Sequence, residues 1–215
     1  MLTWPVNEAD RLSYVALGDS LTVGIGTPFM DPGFVERYLR YSEIALQKSI
    51  YLNVFARRGA TTGEVLSLVK NPGVTHTIKE AEFITITAGG NDLIQAALTF
   101  LKEKDQSVFY AALDQCTENL SAILKHIHSA KAGGTPFMIR LVNLYNPLDE
   151  VEGSDIWVEK FNRHIESFAK DRHVKVADIF PLFNGNEDEL LSADSIHPNA
   201  KGYEVIARAV ANLGW

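Results

Sequence analysis

The sequence of 215 residues predicts an α/β fold, in which helices cover both faces of a parallel sheet. Short apolar segments rich in β-branched residues alternate with longer segments of helical periodicity through the whole chain. In addition, three of the predicted strands run into a turn that carries glycine, at Gly18, Gly59 and Gly89. Because parallel strands end at the same edge of a sheet, we expect these three turns to lie close together.

Five segments are predicted as strands, since each is a short apolar run bounded by turn residues. They are Ser13–Leu17, Tyr51–Ala56, Phe83–Thr87, Pro136–Leu144 and Val174–Ile179. The segments between them carry apolar residues at intervals of three and four, which indicates helices. The predicted helices are Phe34–Ile50, Gly63–Val69, Val74–Glu80, one that begins at Leu93, Asp105–Ala130, Asp155–Lys170 and Pro198–Leu213.

Residues at the ends of the predicted helices support these assignments. Thr61 or Thr62 can cap the helix that follows it, and the pair Gly133–Gly134 stops the longest helix. Pro198 is expected in the first turn of the last helix. The segment Gly18–Gly33 is rich in glycine and proline and is predicted as a loop.

The composition favours one packed domain over residues 1–215, since 46% of the residues are hydrophobic. The formal net charge of −7 argues against a nucleic-acid partner, and against docking on an anionic membrane through a basic face. No apolar run approaches the length of a membrane span, so no integral membrane segment is expected. The oligomeric state cannot be read from one sequence.

The termini and the single cysteine bear on the compartment. The segment Met1–Arg11 lacks the basic start and apolar run of a signal peptide, so a cytoplasmic location is expected. Cys116 has no second cysteine with which to form an internal disulfide, so no oxidising compartment is implied. Its helical spacing from Leu113 and Leu120 predicts a buried residue that serves packing.

Three separated patterns carry chemistry-bearing side chains. Ser20 directly follows the first predicted strand, where α/β sheets place their ligands, and is the candidate nucleophile. Asp194 and His197 share one loop, so the carboxylate can accept the Nδ1 proton and leave Nε2 free as a base. The segment Gly89–Asp92 follows the third strand. Each pattern alone is common in turns and helix caps, but their joint position at strand ends and in the last loop favours a hydrolase.

Four blocks of sequence, spread over nearly the whole chain, carry a resemblance to a known family. They are Ala16–Thr22, Asn53–Thr62, Gly89–Asp92 and Asp194–Pro198. These blocks are typical of the SGNH (GDSL) hydrolase family, which the chain resembles. The resemblance implies a three-layer α/β/α sandwich with five parallel strands in a flavodoxin-like order, and it implies the hydrolysis of carboxylic esters.

The same resemblance implies a role for each site residue. Ser20 is the nucleophile, His197 the general base and Asp194 the group that orients the base. The backbone N–H groups of Ser20 and Gly59 and the side-chain amide of Asn91 form an oxyanion hole. Physical chemistry agrees, because glycine lets the backbone approach a substrate oxygen without a Cβ, and an asparagine amide donates without carrying charge. No cofactor and no metal are expected.

Two neighbouring carboxylates are assigned structural roles. Asp19 is expected to shape the nucleophile turn, and Asp92 to brace Asn91 or to cap the next helix. Thr22 stands where the Gly-x-Ser-x-Gly elbow has its second glycine, so the lid and deep acyl pocket of α/β-hydrolase lipases are not expected.

Functions from other classes receive less support. His126 and His128 point in different directions on a helix, and no His-Glu-x-x-His motif occurs, which disfavours a metal hydrolase. The turn at Gly18 lacks the Gly-x-Gly-x-x-Gly pattern of a dinucleotide site, and the phosphate-loop lysine is absent. A non-catalytic small-molecule binding protein would have no need for a base, its orienter and oxyanion donors.

The substrate is predicted from two loops, Val23–Phe34 and Tyr145–Ile156, which are expected to line the site. Their apolar residues favour an acyl chain over a sugar, although packing within the loops explains them equally well; they include Ile25, Phe29, Phe34, Leu148 and Ile156. Within the family, the chain resembles compact bacterial lipase/acylhydrolases, including spore-germination lipases. This implies fatty acyl or phospholipid esters and allows spore association. A carbohydrate acetylesterase or a thioesterase with the same triad is the alternative.

Overall fold

The computed structural model describes residues 11–28, 30–149, 151 and 153–215. Its centre is a sheet of five parallel strands in the order β2-β1-β3-β4-β5. The strands are β1 (Leu12–Gly18), β2 (Ile50–Ala56), β3 (Phe83–Thr87), β4 (Met138–Val142) and β5 (Val174–Ala177). The order is flavodoxin-like, and it confirms the predicted α/β fold.

Helices cover both faces of the sheet, which gives a three-layer α/β/α sandwich. They are α1 (Ser20–Val23), α2 (Phe34–Leu46), α3 (Thr62–Val69), α4 (Pro72–Glu80), α5 (Gly90–Glu103), α6 (Ser107–Lys131), α7 (Ser154–Ser167), α8 (Phe180–Phe183), α9 (Glu187–Leu190) and α10 (Ala200–Ala211). A short 3-10 helix, Phe168–Lys170, follows α7. The core on one face holds residues of α3, α4, α6 and α7, and the core on the other face holds residues of α2 and α10.

Strand β1 shows why the sheet needs both helical layers. Tyr14 and Ala16 belong to the core beneath α2 and α10, while Val15 and Leu17 belong to the opposite core. This alternation follows the two-residue period of a strand, and burying each large apolar side chain contributes about 1.5–3 kcal/mol. The Tyr14 hydroxyl lies 2.7 Å from Oγ1 of Thr85, so its buried oxygen is satisfied.

Strands β4 and β5 are shorter than predicted. At their carboxyl ends, the side chain of Asn143 makes hydrogen bonds in place of backbone pairing between the strands. Asn143 follows β4, and its Oδ1 accepts the backbone N–H of Ile179 at 2.7 Å. Its Nδ2 donates to Oδ1 of Asp178, also at 2.7 Å. The predicted strand ends Leu144 and Ile179 therefore lie in the loops, at the edge of the sheet that also holds Gly18.

Of the seven predicted helix starts, only that of α2 is confirmed to the residue, and the others differ by one to three residues; α5 and α10 are two examples. Helix α5 begins at Gly90 and not at Leu93. Helix α10 begins two residues after Pro198, because Asn199 is its N-cap and accepts two backbone N–H groups of the first turn. Pro198 instead pairs with Leu191 in an isolated antiparallel bridge.

Local hydrogen bonding explains other boundaries. Thr61 caps α3 in a complete capping box with Glu64, which confirms one of the two predicted caps. Helix α2 ends four residues before Ile50, because Gln47 adopts a left-handed conformation with φ of 52°. Helices α1, α8 and α9, each of four residues, are too short to show a helical period in the sequence. Within the described residues, no helix is both long and apolar enough to cross a membrane.

Candidate active site

Ser20 is held at the carboxyl end of β1 by a turn that requires glycine. Gly18 has φ of 153°, and a Cβ there would lie 2.6 Å from the carbonyl oxygen of Thr87. Asp19 is the N-cap of α1, and its carboxylate accepts the backbone N–H of Leu21 at 3.0 Å. Ser20 is thus the first residue of a helix, with its side chain at the strand edge as the sequence predicts.

A buried network of hydroxyl groups supports this turn from below. Thr87 donates to Oδ1 of Asp19 at 2.8 Å, and its Oγ1 lies 2.8 Å from that of Thr22. Burial raises the pKa of Asp19, while the hydrogen bonds from Thr87 and Leu21 oppose the rise. These contacts agree with the prediction that Asp19 shapes the nucleophile turn. Thr87, the last residue of β3, is a supporting residue that the sequence analysis missed.

The loop before α10 brings the predicted base to the serine. Nε2 of His197 lies 3.0 Å from Oγ of Ser20, although the two residues are 177 positions apart. Nδ1 of the same ring lies 2.6 Å from Oδ2 of Asp194. The three side chains therefore have the connectivity of a nucleophile, a base and an orienting carboxylate.

The carboxylate of Asp194 is itself fixed by its own loop. Its Oδ1 accepts the backbone N–H groups of Ile196 and His197 at 3.0 and 2.8 Å, and the hydroxyl of Ser192 at 2.9 Å. Burial alone would raise the pKa of Asp194, but the hydrogen bonds from His197, Ile196 and Ser192 outweigh it and hold the pKa well below its usual range. Asp194 therefore stays ionised beside the imidazole.

Two tyrosines, which the sequence analysis did not single out, hold the His197 loop and the loop that follows α1. The hydroxyl of Tyr145 donates to the carbonyl of Ile196 at 2.6 Å, and its ring stacks on Phe183. The hydroxyl of Tyr203 donates to the carbonyl of Ile25, also at 2.6 Å. Tyr145 lies three residues after β4, at the sheet edge that carries the site, and this position could have identified it from the sequence.

The proposed oxyanion donors line the same cleft as Ser20 and His197. Asn91 donates one N–H of its amide to the carbonyl of Ala60 at 3.0 Å, which orients the side chain and leaves a second N–H. Gly59 has φ of 76°, and no other atom of the described residues lies within 4 Å of the place where a Cβ would stand. The backbone conformation, rather than crowding, accounts for glycine at this position.

Asp92 joins the two segments that carry Gly59 and Asn91. Its carboxylate accepts the backbone N–H of Thr62 at 2.9 Å and the Thr62 hydroxyl at 2.6 Å. Asp92 therefore fastens the start of α3 to the start of α5, which agrees with the predicted bracing role and not with a cap on the helix that follows. Burial raises the pKa of Asp92, against the lowering effect of the Thr62 hydrogen bonds.

The triad opens into a cleft of about 750 Å³ with mostly apolar walls. Leu148, Ile156 and other residues of the loop Tyr145–Ile156 line it, as predicted. Another wall is one that the sequence analysis missed. It is a stripe along α5, formed by Leu93, Ile94, Ala97, Phe100 and Leu101. The helical spacing of these residues was a visible signal, but it was not connected with the site.

The other predicted loop, Val23–Phe34, does not line the cleft in its described part, so that prediction is wrong. Phe34 is buried in the core beneath α2. Gly26 packs behind the base, where a Cβ would lie 2.9 Å from that of His197. Phe29 lies outside the described residues. This loop thus supports the base from behind.

The other reactive side chains are placed elsewhere. In the part of the chain that the structure describes, no three His, Cys, Asp or Glu side chains are grouped as metal ligands. His126 lies 2.9 Å from the hydroxyl of Thr75, and His128 lies 2.5 Å from Asp171. Cys116 is buried and free, and burial raises the pKa of its thiol, which agrees with a packing role.

The geometry can be set beside known proteins. The model of the GDSL-like lipase/acylhydrolase family matches residues 16–205. A spore germination lipase, LipC of Bacillus licheniformis, is 42% identical over 95% of this chain and 97% of its own. The uncharacterized protein YpmR of Bacillus subtilis is 28% identical over 94% of this chain and 80% of its own.

Two solved structures are also similar to this chain. The lipase Lip_vut3 from a goat rumen metagenome is 41% identical, covers 95% of this chain and 98% of its own, and superposes with a TM-score of 0.91. A variant of Axe2, an acetylxylan esterase from Geobacillus stearothermophilus, covers 99% of this chain and 97% of its own with a TM-score of 0.70. Because it is only 18% identical, that second likeness shows the fold alone.

Proposed function

Because the chain belongs to the GDSL-like lipase/acylhydrolase family and is therefore a carboxylic ester hydrolase, we propose that it works through an acyl-enzyme on Ser20. The observation that carries this proposal is the pair of contacts that His197 makes, 3.0 Å to Ser20 and 2.6 Å to Asp194. A base within hydrogen-bond reach of a hydroxyl, and itself oriented by a carboxylate, is the arrangement that activates a serine.

The proposed reaction has two halves with one base. Nε2 of His197 accepts the proton of Ser20 as Oγ attacks the ester carbonyl, and Asp194 stabilises the imidazolium that results. The imidazolium then gives this proton to the leaving alcohol, and the acyl group stays on Ser20. In the second half, His197 takes a proton from water as the water attacks the acyl carbonyl. The imidazolium then returns this proton to Oγ of Ser20 as the bond to the acyl group breaks and the acid leaves.

The negative charge of each tetrahedral intermediate falls on the former carbonyl oxygen. We propose that the backbone N–H groups of Ser20 and Gly59 and the amide of Asn91 stabilise it. Asp92 supports this role, because it holds the Gly59 and Asn91 segments together. Donors that are already in place cost no reorganisation when the charge develops.

For the substrate, we propose fatty acyl or phospholipid esters. The apolar walls of the cleft support this choice, since a sugar needs polar partners and an acyl chain does not. The relatives named as lipases support it as well. A carbohydrate acetylesterase or thioesterase is the alternative. Rates on p-nitrophenyl octanoate, a phospholipid, an acetylated xylo-oligosaccharide and an acyl thioester, measured side by side, distinguish them.

The central experiment uses a fluorophosphonate probe and the variant Ser20→Ala. The wild-type chain is expected to bind the probe covalently and to hydrolyse esters, and Ser20→Ala to do neither while it keeps its melting temperature. The exposed Ser67, which lies on α3, provides a matched control through Ser67→Ala. Ester hydrolysis at a near-normal rate by Ser20→Ala contradicts the proposal.

We also propose one catalytic domain over residues 1–215 and action in the cytoplasm or the spore. The single sheet, built from strands between Leu12 and Ala177, supports the first statement. The name of the Bacillus licheniformis relative supports the second. Immunoblots of fractionated spores and vegetative cells of the source organism test the location.

A further inference from the structure

The cleft continues away from the triad along α5. This helix begins beside the oxyanion donor Asn91, and its cleft-lining residues run outward from Leu93 to Leu101. At about 1.5 Å of rise per residue, Phe100 lies about 14 Å along the helix from Asn91. The mechanism uses nothing on this stretch, so its composition needs another explanation.

Four aromatic residues, which we call the aromatic cluster, line the outer end of the cleft: Phe100, Phe109, Tyr110 and Trp157. Phe109 stacks on Trp157 with ring centroids 4.5 Å apart and planes 15° apart. Phe100 is 5.4 Å from Phe109, and Tyr110 meets Trp157 edge-on at 5.0 Å. Rings from three helices thus converge on one place.

Lys160 fixes this cluster from the solvent side. Its Nζ lies 4.1 Å from the centroid of the Trp157 ring and 4.8 Å from that of Tyr110. The same ammonium donates to the hydroxyl of Tyr110 at 3.3 Å. A cation over two ring faces restrains both rings, so the cluster forms a firm surface at the end of an apolar path.

Apolar side chains on this stretch of α5 are exposed to solvent. Ile94 is 36% exposed and Leu101 is 62% exposed, and both line the cleft. Large apolar side chains that are exposed together along a groove mark a place where an apolar ligand binds. Because the groove is continuous with the triad, an apolar chain attached to the carbonyl that Ser20 attacks can extend into it.

We propose that the acyl chain of the substrate lies along α5 and that the aromatic cluster binds its methyl end. The inference rests on the proposed function and names the substrate class of that site. An extended chain advances about 1.3 Å per carbon, which is the projection of a carbon–carbon bond of about 1.5 Å. Acyl chains of about ten to twelve carbons therefore span the distance of about 14 Å to the aromatic cluster, whereas acetyl and butyryl groups do not.

The test measures kcat/KM for p-nitrophenyl esters from acetate to palmitate. In the wild-type enzyme, kcat/KM is expected to rise with chain length, by up to about fourfold per buried methylene, and to level off beyond about twelve carbons. In Trp157→Ala, the decanoate-to-acetate ratio of kcat/KM is expected to fall at least about tenfold, since the cluster loses its largest ring. Trp157→Phe keeps a stacked ring and restores most of the ratio.

A tryptophan outside the cleft supplies the control. Trp215 donates to Ser42 on α2, and Trp215→Ala is expected to leave the chain-length ratio unchanged. The inference is overturned if Trp157→Ala lowers kcat/KM by the same factor at every chain length, or if it leaves the ratio as it was.

A binding experiment separates this inference from the proposed catalysis. In the Ser20→Ala background, 10-bromodecanoate is expected to quench the fluorescence of Trp157, whereas 3-bromopropionate is not. Adding Trp157→Phe removes the quenching. Quenching that is equal with and without Trp157→Phe overturns the inference, whether or not Ser20 is the nucleophile. Hydrolysis by Ser20→Ala overturns the nucleophile alone.

Discussion

Around Ser20 the cleft is made of backbone turns whose polar atoms bond to one another, whereas about 14 Å away along α5 it is made of apolar side chains on helix surfaces. The first region rests on Gly18, Thr87 and the Asp194 loop. A methyl group added at Gly18 would meet the backbone of Thr87. In the second region, apolar side chains such as Ile94 and Leu101 are partly exposed to solvent.

The two regions of the cleft meet different requirements, one for proton transfer and one for contact with an acyl chain. Proton transfer needs donor and acceptor atoms within about 3 Å, so the catalytic region tolerates almost no change. Contact with an acyl chain needs only apolar area, so the residues along α5 can be exchanged at moderate cost. We therefore expect large losses for every substrate from changes in the first region, and small losses that depend on chain length from changes in the second.

The largest effect is expected for Asp194→Asn. The amide keeps its place but can no longer fix the tautomer of His197 or stabilise the imidazolium, so kcat is expected to fall by about 10⁴-fold for acetate and octanoate esters alike. Steady-state kinetics on both esters measure this. Asp188→Asn, a change at an exposed carboxylate on α9, is the control, and a loss below tenfold contradicts the assigned role.

Asn91→Ala is expected to have the next largest effect. It removes one oxyanion donor, so kcat should fall by about 10²–10³-fold with little change in KM. Asn184→Ala, at an exposed position after α8, is the matched control. If KM rises while kcat stays the same, Asn91 binds the ground state and the proposed donor is wrong.

At low pH, kcat/KM is expected to fall as a single group takes up a proton. Only a neutral imidazole can accept the serine proton, and histidines titrate between about pH 5 and 8. Asp194 stays ionised through this window, because its hydrogen bonds outweigh burial and hold its pKa well below the usual range. On the acid side of the profile, kcat/KM should therefore fall by about tenfold per pH unit. A profile that is flat from about pH 5 to 8 contradicts the role of His197.

The smallest effect is expected for Ile94→Ser in the outer region. Losing about 1 kcal/mol of apolar contact should lower kcat/KM on octanoate by about fivefold relative to acetate. Ile44 on α2 is also exposed and lies outside the cleft, so Ile44→Ser is a close control. An equal loss on both esters would mean that Ile94 acts on the triad, and the contrast between the regions would fail.

The sequence predicted the catalytic region better than the outer one for a physical reason. Turns that need glycine or a capping side chain leave local marks, which is why β3 was predicted residue for residue and why Thr61 was one of the two predicted caps of α3. The start of α5 was placed three residues late, because Gly90 and its neighbours also fit a turn. The apolar wall along α5 was missed because apolar spacing alone does not say which face of the helix lines a cleft.

Loop packing was the least predictable feature. The segment Val23–Phe34 was expected beside the substrate because it follows the nucleophile, yet tertiary contacts place Gly26 behind His197. Similarly, no local signal showed that Pro198 would pair with Leu191 and leave the helix start to Asn199. The contact of Gly26 with His197 joins segments far apart in the chain, and the bridge between Leu191 and Pro198 is too short to leave a pattern in one sequence.

The separation of 177 residues between Ser20 and His197 has a consequence for folding. The proposed nucleophile follows the first strand and the proposed base lies in the loop before α10, so the site closes one of the longest loops in the molecule. Contacts of such high sequence separation carry the largest loop-closure entropy and tend to form late. During refolding, ester hydrolysis should therefore return after the far-ultraviolet circular dichroism signal of the sheet and helices. For this chain, enzyme activity is a readout of completed folding.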